Sequence, residues 1–355
     1  MIEVTALTSG RDVPSARFRV RQHITELRHY GIVVRERRPP IDKYADMPGP
    51  LGGGHARRYL PPLYWTWAAY RLAARLPGVL QSRSARVVWL EREIQPGVPT
   101  FERLIRKPMV FDVDDAIWLK KPAGRLLAQS IARRAEAIIA GNTYIADWFS
   151  AYHRRIHIIP TAVDVHRFTA AELTATQPET PFIIGWTGTH SNFKYLYAIE
   201  KGLNRFLSLH NDAILHIIAD RSPAFTLIQP HKHHFIPWQR GTETAALSKF
   251  AVGIMPLADD EWTRGKCAYK MLQYMAAGVP VVVSPVGMNL EVLAHLEGSG
   301  LTATRDGQWT DALDFIYRHR DTARTWGAKG REVAEKYYST PVVAAQLAAV
   351  FSPYQ

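Results

Sequence analysis

Cysteine is all but missing from this chain. Its 355 residues hold one, Cys267, so no internal disulfide framework can form and a zinc cluster of cysteines and histidines is excluded. Long apolar runs are missing too. None reaches the ~20 residues that span a bilayer, and the opening "MIEVTAL" reads as a first strand, not as a signal peptide. A cytoplasmic address is the expectation that fits both. No internal repeat or long low-complexity tract interrupts the chain. Acidic residues are scarce in one half only: residues 1–165 carry 26 Lys/Arg against 15 Asp/Glu, a net +11, whereas residues 166–355 carry 18 against 17, a net +1. The first half is therefore expected to face something anionic, and nucleic acid, an acidic lipid surface or a phosphorylated substrate all fit.

What is present is alternation. Short apolar segments ("IEVTALT", "IVVRERR", "ARVVWLE", "KPMVFDVDD", "AIIAGN", "IHIIP") are separated by helical stretches, and a second series runs through "PFIIGWTG", "AILHIIAD", "HHFIPW", "VGIMPL" and "VPVVVS". Buried strands spaced by helices of 10–15 residues indicate parallel sheets with helices on both faces. The length exceeds one typical core and suits two domains. Between the two series, residues 169–180 ("TAAELTATQPET") are polar and aperiodic, a linker. The expected fold is α/β: two Rossmann-like, doubly wound domains (1–168 and 181–335) facing each other across a cleft, with a C-terminal helix at 336–355 packing back on the first. Ligands of such domains bind at the C-terminal ends of the strands. Residues 47–62 read as an exposed loop. Residues 63–80, aromatic with arginines one turn apart, suit either a buried helix or an interfacial one.

Four stretches can carry chemistry. In "FIIGWTGTHSNFKYL" a strand ends in a glycine-bounded loop before a helix, so Gly188 and neighbouring N–H groups can bind phosphate and Lys194 can add charge; a tight turn with a solvated lysine has the same pattern. In "GKCAYKMLQYMAAGVPVVVSPVGMN" (265–289) the pattern predicts a helix from Gly265 to Ala277, a stop at Gly278 and Pro280, and a strand from Val279 to Ser284. Arg264 and Lys266 then stand near a helix N-terminus, where basic side chains are disfavoured by up to ~1 kcal/mol unless an anion lies between them. Lys266, Lys270 and Gln273 occupy positions where such a turn usually carries a carboxylate. In "VFDVDDAIW", Asp112, Asp114 and Asp115 end a buried strand. They can hold a metal, orient a hydroxyl or accept its proton, or simply form a turn. In "SGRDVPSARFRVR", Arg17, Arg19 and Arg21 follow the first strand, and Arg17 and Arg21 share a helical face suited to a phosphate or to solvent. The histidines of "HKHHF" sit in a loop before a strand without a nearby acid, so no metal is expected there.

With these residues in place, the chain resembles the retaining glycosyltransferases of family 4, which have the GT-B fold. The resemblance rests on "VVWLEREI…FERLIRKPMVFDVDDAIW", "IHIIPTAVDVHRF", "IGWTGTHSNFKYL" and "KMLQYMAAGVPVVVSPVGMNLEVL", in the family's order and spacing. It implies a nucleoside-diphosphate sugar held by the second domain, an acceptor held by the first, and transfer with retention, usually without a metal. The implied donor-binding residues are Gly188, Lys194, Arg264, Lys270, Gln273, Asn289 and Glu291. Asp114, Asp115 and Lys266 are the implied catalytic residues, and Arg17, Arg19 and Arg21 the acceptor-binding ones. The family's Glu-x7-Glu pair falls on Gly265 and Gln273, neither of which is acidic; Gln273 keeps a hydrogen-bonding group for a ribose.

The expectation is thus a metal-independent sugar transferase with no cofactor beyond its nucleotide-sugar co-substrate. It is expected to act on a saccharide or lipid-linked acceptor, an anionic one being suggested by the basic first half, in polysaccharide or glycolipid synthesis, and to touch the inner face of an acidic membrane without binding nucleic acid. A catalytically weakened binding protein, a nucleic-acid-binding protein and a nucleotide-sugar epimerase stay open as alternatives.

Overall fold

The computed structural model describes residues 1–52, 58–168, 181–239, 241 and 243–354. The expected linker at 169–180 and part of the expected loop at 47–62 lie outside them. The chain divides into two compact units, Met1–Thr161 with Thr340–Gln355, and Ala162–Ser339. Each unit holds one six-stranded parallel sheet, the α/β architecture expected from the alternation.

In the first unit β1 (Ile2–Leu7), β2 (Ile32–Arg37), β3 (Val87–Glu91), β4 (Met109–Val113), β5 (Ala137–Ala140) and β6 (Ile156–Ile158) lie in the order β2-β1-β3-β4-β5-β6. The chain leaves β1 towards β2 and returns to β3 on its other side, so strand order reverses between β1 and β3. Every residue of β3, β4 and β5 is buried, as the apolar runs of a sheet covered on both faces require. The C-terminal helix Thr340–Phe351 belongs to this unit. Its inward face of Val343, Ala344, Leu347 and Phe351 is buried, and the Phe351 ring lies 5.2 Å from that of Trp89 on β3.

In the second unit β7 (Phe182–Thr187), β8 (Ala213–Ala219), β9 (His233–Pro237), β10 (Val252–Met255), β11 (Val281–Val283) and β12 (Leu301–Thr302) lie in the order β12-β11-β10-β7-β8-β9. The reversal falls between β7 and β10. Glycines on these strands make room for rings: a Cβ on Gly185 would meet the Phe250 ring at 1.7 Å, and one on Gly253 the Tyr274 ring at 2.4 Å.

Two helices depart from the sequence pattern. The stretch after β1 is not one α-helix but a π turn (Ala16–Val20), a 3-10 turn (Arg21–His23) and a short α-helix (Ile24–His29); the wider turn accompanies an inward-facing Arg19, buried in the unit. The helix predicted over Gly265–Ala277 starts only at Tyr269 and runs to Ala276, and a separate short helix, Glu261–Arg264, precedes it. The break is fixed by Ala268, which takes a left-handed φ of 49°, a conformation that costs a non-glycine residue roughly 1–2 kcal/mol.

Candidate functional site: the strand ends of each unit

The crevice beyond the carboxyl ends of strands at a reversal point is where such sheets bind ligands. In the second unit this is the ground between β7 and β10. Tyr274 ties the two strands together: its buried phenol oxygen accepts from the Thr187 amide at 3.0 Å and donates to the Ile254 carbonyl at 3.3 Å. Burial pushes that phenol's pKa up, so it stays a neutral strut.

Gly188 follows β7. A Cβ there would stand 2.6 Å from the Trp186 ring and 2.7 Å from Cε of Lys270, so the missing side chain is what lets Lys270 lie across the indole, its Nζ 5.4 Å from the ring centroid. Lys270 is half-buried in the first turn of Tyr269–Ala276. Burial, reinforced by repulsion from Lys266, pushes its pKa down to about 7. No side chain caps the N-terminus of this helix, so its first amides are not taken by a capping group. Here the structure brings together three residues predicted from sequence: Gly188, Lys266 and Lys270. Lys266 is half-buried, with Nζ 5.5 Å above Trp262.

Arg264 is placed differently from expectation. It ends the helix Glu261–Arg264, a position the helix dipole favours for a cation, and its Nε and Nη2 donate to Asp259 at 2.6 and 3.1 Å. Its backbone packs against Gly287, whose φ is 53° and whose Cβ would meet the Arg264 carbonyl at 2.6 Å. The loops after β10 and β11 are thereby pressed together. Asn289, just beyond, is 1 % exposed; its Nδ2 donates to the Ser284 carbonyl at 2.9 Å, while Oδ1 has no hydrogen-bond partner among the described residues. Gln273 is buried on Tyr269–Ala276 and Gly265 is buried at the helix break, so no acid stands at either position of the family pair. Glu291 is half-buried in the first turn of Met288–His295. Lys194 is exposed, its Nζ 4.8 Å from the Tyr195 ring.

Two features of this rim escaped the sequence reading. His190 donates its amide to Asp220 Oδ1 at 2.7 Å, and its Nδ1 lies 2.5 Å from Oδ2, joining the loops after β7 and β8. Although partial burial works the other way, these bonds hold the Asp220 carboxyl below its ordinary range. Trp186, the platform for Lys270, is the other. Its place inside a strand marks it as core, and only the register shows which cation it meets.

In the first unit the predicted aspartates and arginines are mostly engaged with one another. Arg19 donates from Nε to Asp112 at 2.9 Å and from Nη1 to the Ile159 carbonyl at 2.9 Å, and Trp89 Nε1 donates to the other Asp112 oxygen at 3.0 Å. Burial pushes the Asp112 carboxyl up to about 6 despite Arg19. Arg21 grips Glu36 at 2.6 and 3.0 Å and the Gly10 and Arg11 carbonyls at 2.9 and 2.8 Å, fixing the loop after β1. Arg17 is half-buried, its guanidinium 4.5 Å from the Phe18 ring. Asp114 and Asp115 share a partner that the sequence reading missed, Arg92. This residue follows β3 with a left-handed φ of 56°, pairs with Asp114, and reaches Asp115 Oδ2 at 2.7 Å. Burial alone would raise the Asp114 carboxyl, but the charge and hydrogen bond of Arg92 hold it low. The Glu-Arg-Glu run at a strand end was its only signal.

Among the described residues no three His, Cys, Asp or Glu side chains stand together as metal ligands, and no helix is long and apolar enough to cross a membrane. His233 and His234 lie on β9 itself.

Residues 181–319 match the family model described as "Glycosyl transferases group 1". No curated protein matches the chain by sequence. Similar solved structures include sucrose-phosphate synthase from Thermosynechococcus elongatus (14% identity, TM-score 0.68, 99% of both chains). Anabaena HepE in complex with UDP and glucose is another (13% identity, TM-score 0.69, 99% of this chain and 100% of that one). A UDP-forming trehalose-phosphate synthase from Burkholderia xenovorans is a third (14% identity, TM-score 0.64, 98% of both chains). The chain has the GT-B fold of these glycosyltransferases, and its second unit carries the group 1 glycosyltransferase match.

Proposed function

We propose that this chain is a retaining glycosyltransferase of family 4 that moves a sugar from a uridine-diphosphate donor to a saccharide or lipid-linked acceptor. The observation that carries the reading is Lys270, laid across Trp186 beneath Gly188 at the β7/β10 reversal, with Lys266 beside it. Two cations held this close repel one another, and a diphosphate is the anion that relieves that repulsion and that this ground suits. Uridine as the base is supported by HepE, solved with UDP and with UDP-glucose.

The chemistry follows from charge. As the bond between sugar and diphosphate stretches, negative charge grows on the leaving oxygens. Lys266, Lys270 and the N-terminus of Tyr269–Ala276 stabilise it, and Lys194 adds an exposed cation from the β7 side. The acceptor hydroxyl attacks from the face the diphosphate leaves, and a diphosphate oxygen takes its proton. That route needs neither a protein nucleophile nor a metal, and it tolerates Gly265 where relatives have an acid. Gln273 hydrogen-bonds the ribose, while Asn289 Oδ1 and Glu291 accept from sugar hydroxyls. Asp114 and Asp115, held by Arg92, set the acceptor side of the reaction.

A membrane-linked acceptor is supported by the helix Pro61–Ala73, which buries none of its residues. Leu63, Trp65 and Tyr70 are exposed on it, with Tyr59 and Leu60 just before. Aromatic and basic side chains of this kind suit the interface of an anionic inner leaflet, consistent with a role in polysaccharide or glycolipid synthesis at the cytoplasmic face. Pelleting with anionic vesicles at low salt, lost at high salt, is the expected behaviour; no pelleting at low salt removes this part of the reading. The transfer itself is tested by incubating the chain with UDP-sugars and lipid or saccharide acceptors and assaying UDP release and the anomeric configuration of the product by NMR. Inversion would contradict the mechanism.

A further inference from the structure

In a parallel sheet every strand is entered at the edge opposite the ligand crevice. The residues that precede β5 and β6 therefore meet at one corner of the first unit, a strand's length from Asp112 and Asp114. Two helices end there, Gly124–Arg134 and Thr143–Ser150. With the segments that follow them they border a pocket of about 580 Å³. Its lining carries Arg133, Arg154 and Arg155 against a single carboxylate, Glu136.

Basic residues near helix C-termini have an ordinary explanation in the helix dipole, and two neighbours are used up on backbone carbonyls. Arg134 Nη2 donates to the carbonyls of Arg103 and Ile105 at 3.1 and 3.2 Å, and Arg106 Nη1 to that of Arg83 at 2.9 Å. The three pocket arginines are not used in this way. Among the described residues none of their side chains has an ion pair or a hydrogen bond. Arg133 lies over the Tyr152 ring, its Cζ 5.8 Å from the centroid. The ground they stand on is nevertheless fixed. Gln129 Nε2 donates to the Tyr152 hydroxyl oxygen at 3.1 Å, which holds the ring and leaves its O–H able to donate. His153 Nδ1 accepts from the Arg155 amide at 3.0 Å, so Nε2 carries the proton and donates to the Ala135 carbonyl at 3.2 Å. The turn bearing Arg154 and Arg155 is thereby clipped to the junction that follows Arg133.

Three guanidiniums leave this corner positive even with Glu136 and the half-charge of each helix end set against them. A concavity lined by one sign of charge draws counter-ions. Guanidinium forks fit the oxygens of carboxylates and phosphates. Arg133 comes from one segment and Arg154 and Arg155 from another, so a group that presents oxygens on several sides suits them better than a planar carboxylate. A phosphomonoester is such a group, and it brings about −1.5 to −2 charges at pH 7. We propose that this corner binds a phosphate group, with Arg133, Arg154 and Arg155 as its charged donors and the Tyr152 hydroxyl as a neutral one. The site is independent of the transferase reading and gives part of the basic excess of the first half a place on the unit. A soluble phosphate ester and the headgroup of a phospholipid would make the same contacts.

The test is calorimetric titration of the full chain at low salt with glycerol phosphate, and with acetate as the planar control, in the presence of millimolar UDP to occupy the donor ground. Glycerol phosphate is expected to bind. Arg133→Gln and Arg154→Gln, both at exposed positions, should each weaken it about tenfold, the worth of a charged hydrogen bond. Glu136→Gln should tighten it, and the melting temperature should stay unchanged in all three. Pelleting with phosphatidylcholine vesicles that contain phosphatidic acid separates the two sources. Pelleting lost in the arginine variants names a lipid headgroup as the ligand, whereas unchanged pelleting beside weakened glycerol phosphate binding names a soluble ester. The site is overturned if neither glycerol phosphate nor the vesicles respond to the two arginine substitutions, or if acetate binds as tightly as glycerol phosphate.

Discussion

Lys270 and Asp112 show how burial assigns opposite tasks to two charged residues. With a pKa near 7, part of the Lys270 population is neutral in the free protein. A bound diphosphate favours the ammonium and raises that pKa, so donor binding must take up a proton. The sign follows: affinity is highest below pH 7 and falls as pH rises from about 7 towards the raised value in the complex. Calorimetry of UDP-glucose at pH 8, in buffers of different ionisation enthalpy, should therefore register proton uptake in the wild type and none in Lys270→Met. Equal uptake in both would remove Lys270 from the site. The same substitution should weaken donor binding by roughly 1.5–3 kcal/mol, the worth of one charged hydrogen bond. Asp112, by contrast, is walled in by Trp89 and Arg19. Asp112→Ala removes the carboxylate that the buried Arg19 guanidinium grips and should destabilise the first unit by about 3–5 kcal/mol, seen in urea denaturation; a loss below 1 kcal/mol would mean that Arg19 is not held as described.

At the scale of elements, the helices that carry the donor-side residues are placed by close backbone approach. Gly327, on Arg320–Tyr338, faces the turn after Tyr269–Ala276, and a Cβ there would stand 2.0 Å from the Gly278 carbonyl. Gly327→Ala should cost about 1–3 kcal/mol as overpacking, measured by chemical denaturation; an unchanged midpoint would show that the two helices can separate. Strand and helix order was legible in the sequence, because fully buried parallel strands leave apolar runs such as "VVWLE" and "AIIA" that need no tertiary knowledge to find. The break at 265–268 was not. Left-handed Ala268 has no compositional sign, since the geometry is imposed by the packing of neighbouring loops and not by the alanine's own preference. The Arg92 clamp was hidden for a related reason: its partners lie 22 and 23 positions onward and meet it only through the β3–β4 register. By spacing Arg17 and Arg21 share a helical face suited to a phosphate or to solvent, and only the π turn and the Asp112 and Glu36 contacts reveal that Arg19 and Arg21 turn to the unit's own acids.

At the scale of the molecule, the two units have separate cores, and the last helix serves the first of them. Phe351 is fully buried against Trp89, so Phe351→Ala should destabilise the first unit by about 3–5 kcal/mol while the second keeps its own stability. Scanning calorimetry with proteolytic mapping of the early-melting fragment would show this, and a uniform shift of all transitions would contradict it. The basic excess of residues 1–165, +11 with every acid of that half already subtracted, suits the anionic lipid surface proposed for the exposed helix Pro61–Ala73.

The central claim, a nucleotide-sugar donor bound at the β7/β10 reversal, is most directly tested by melting the chain against UDP, GDP, ADP and CMP and the matching sugar nucleotides. A ligand at a hundred times its dissociation constant adds about 2.7 kcal/mol of stability. UDP and a UDP-sugar should stabilise the second unit by an amount of that order, and Lys270→Met should abolish most of the shift. No shift with any of these nucleotides at millimolar concentration would contradict the account and leave Gly265 and Gln273 as marks of a lost donor site.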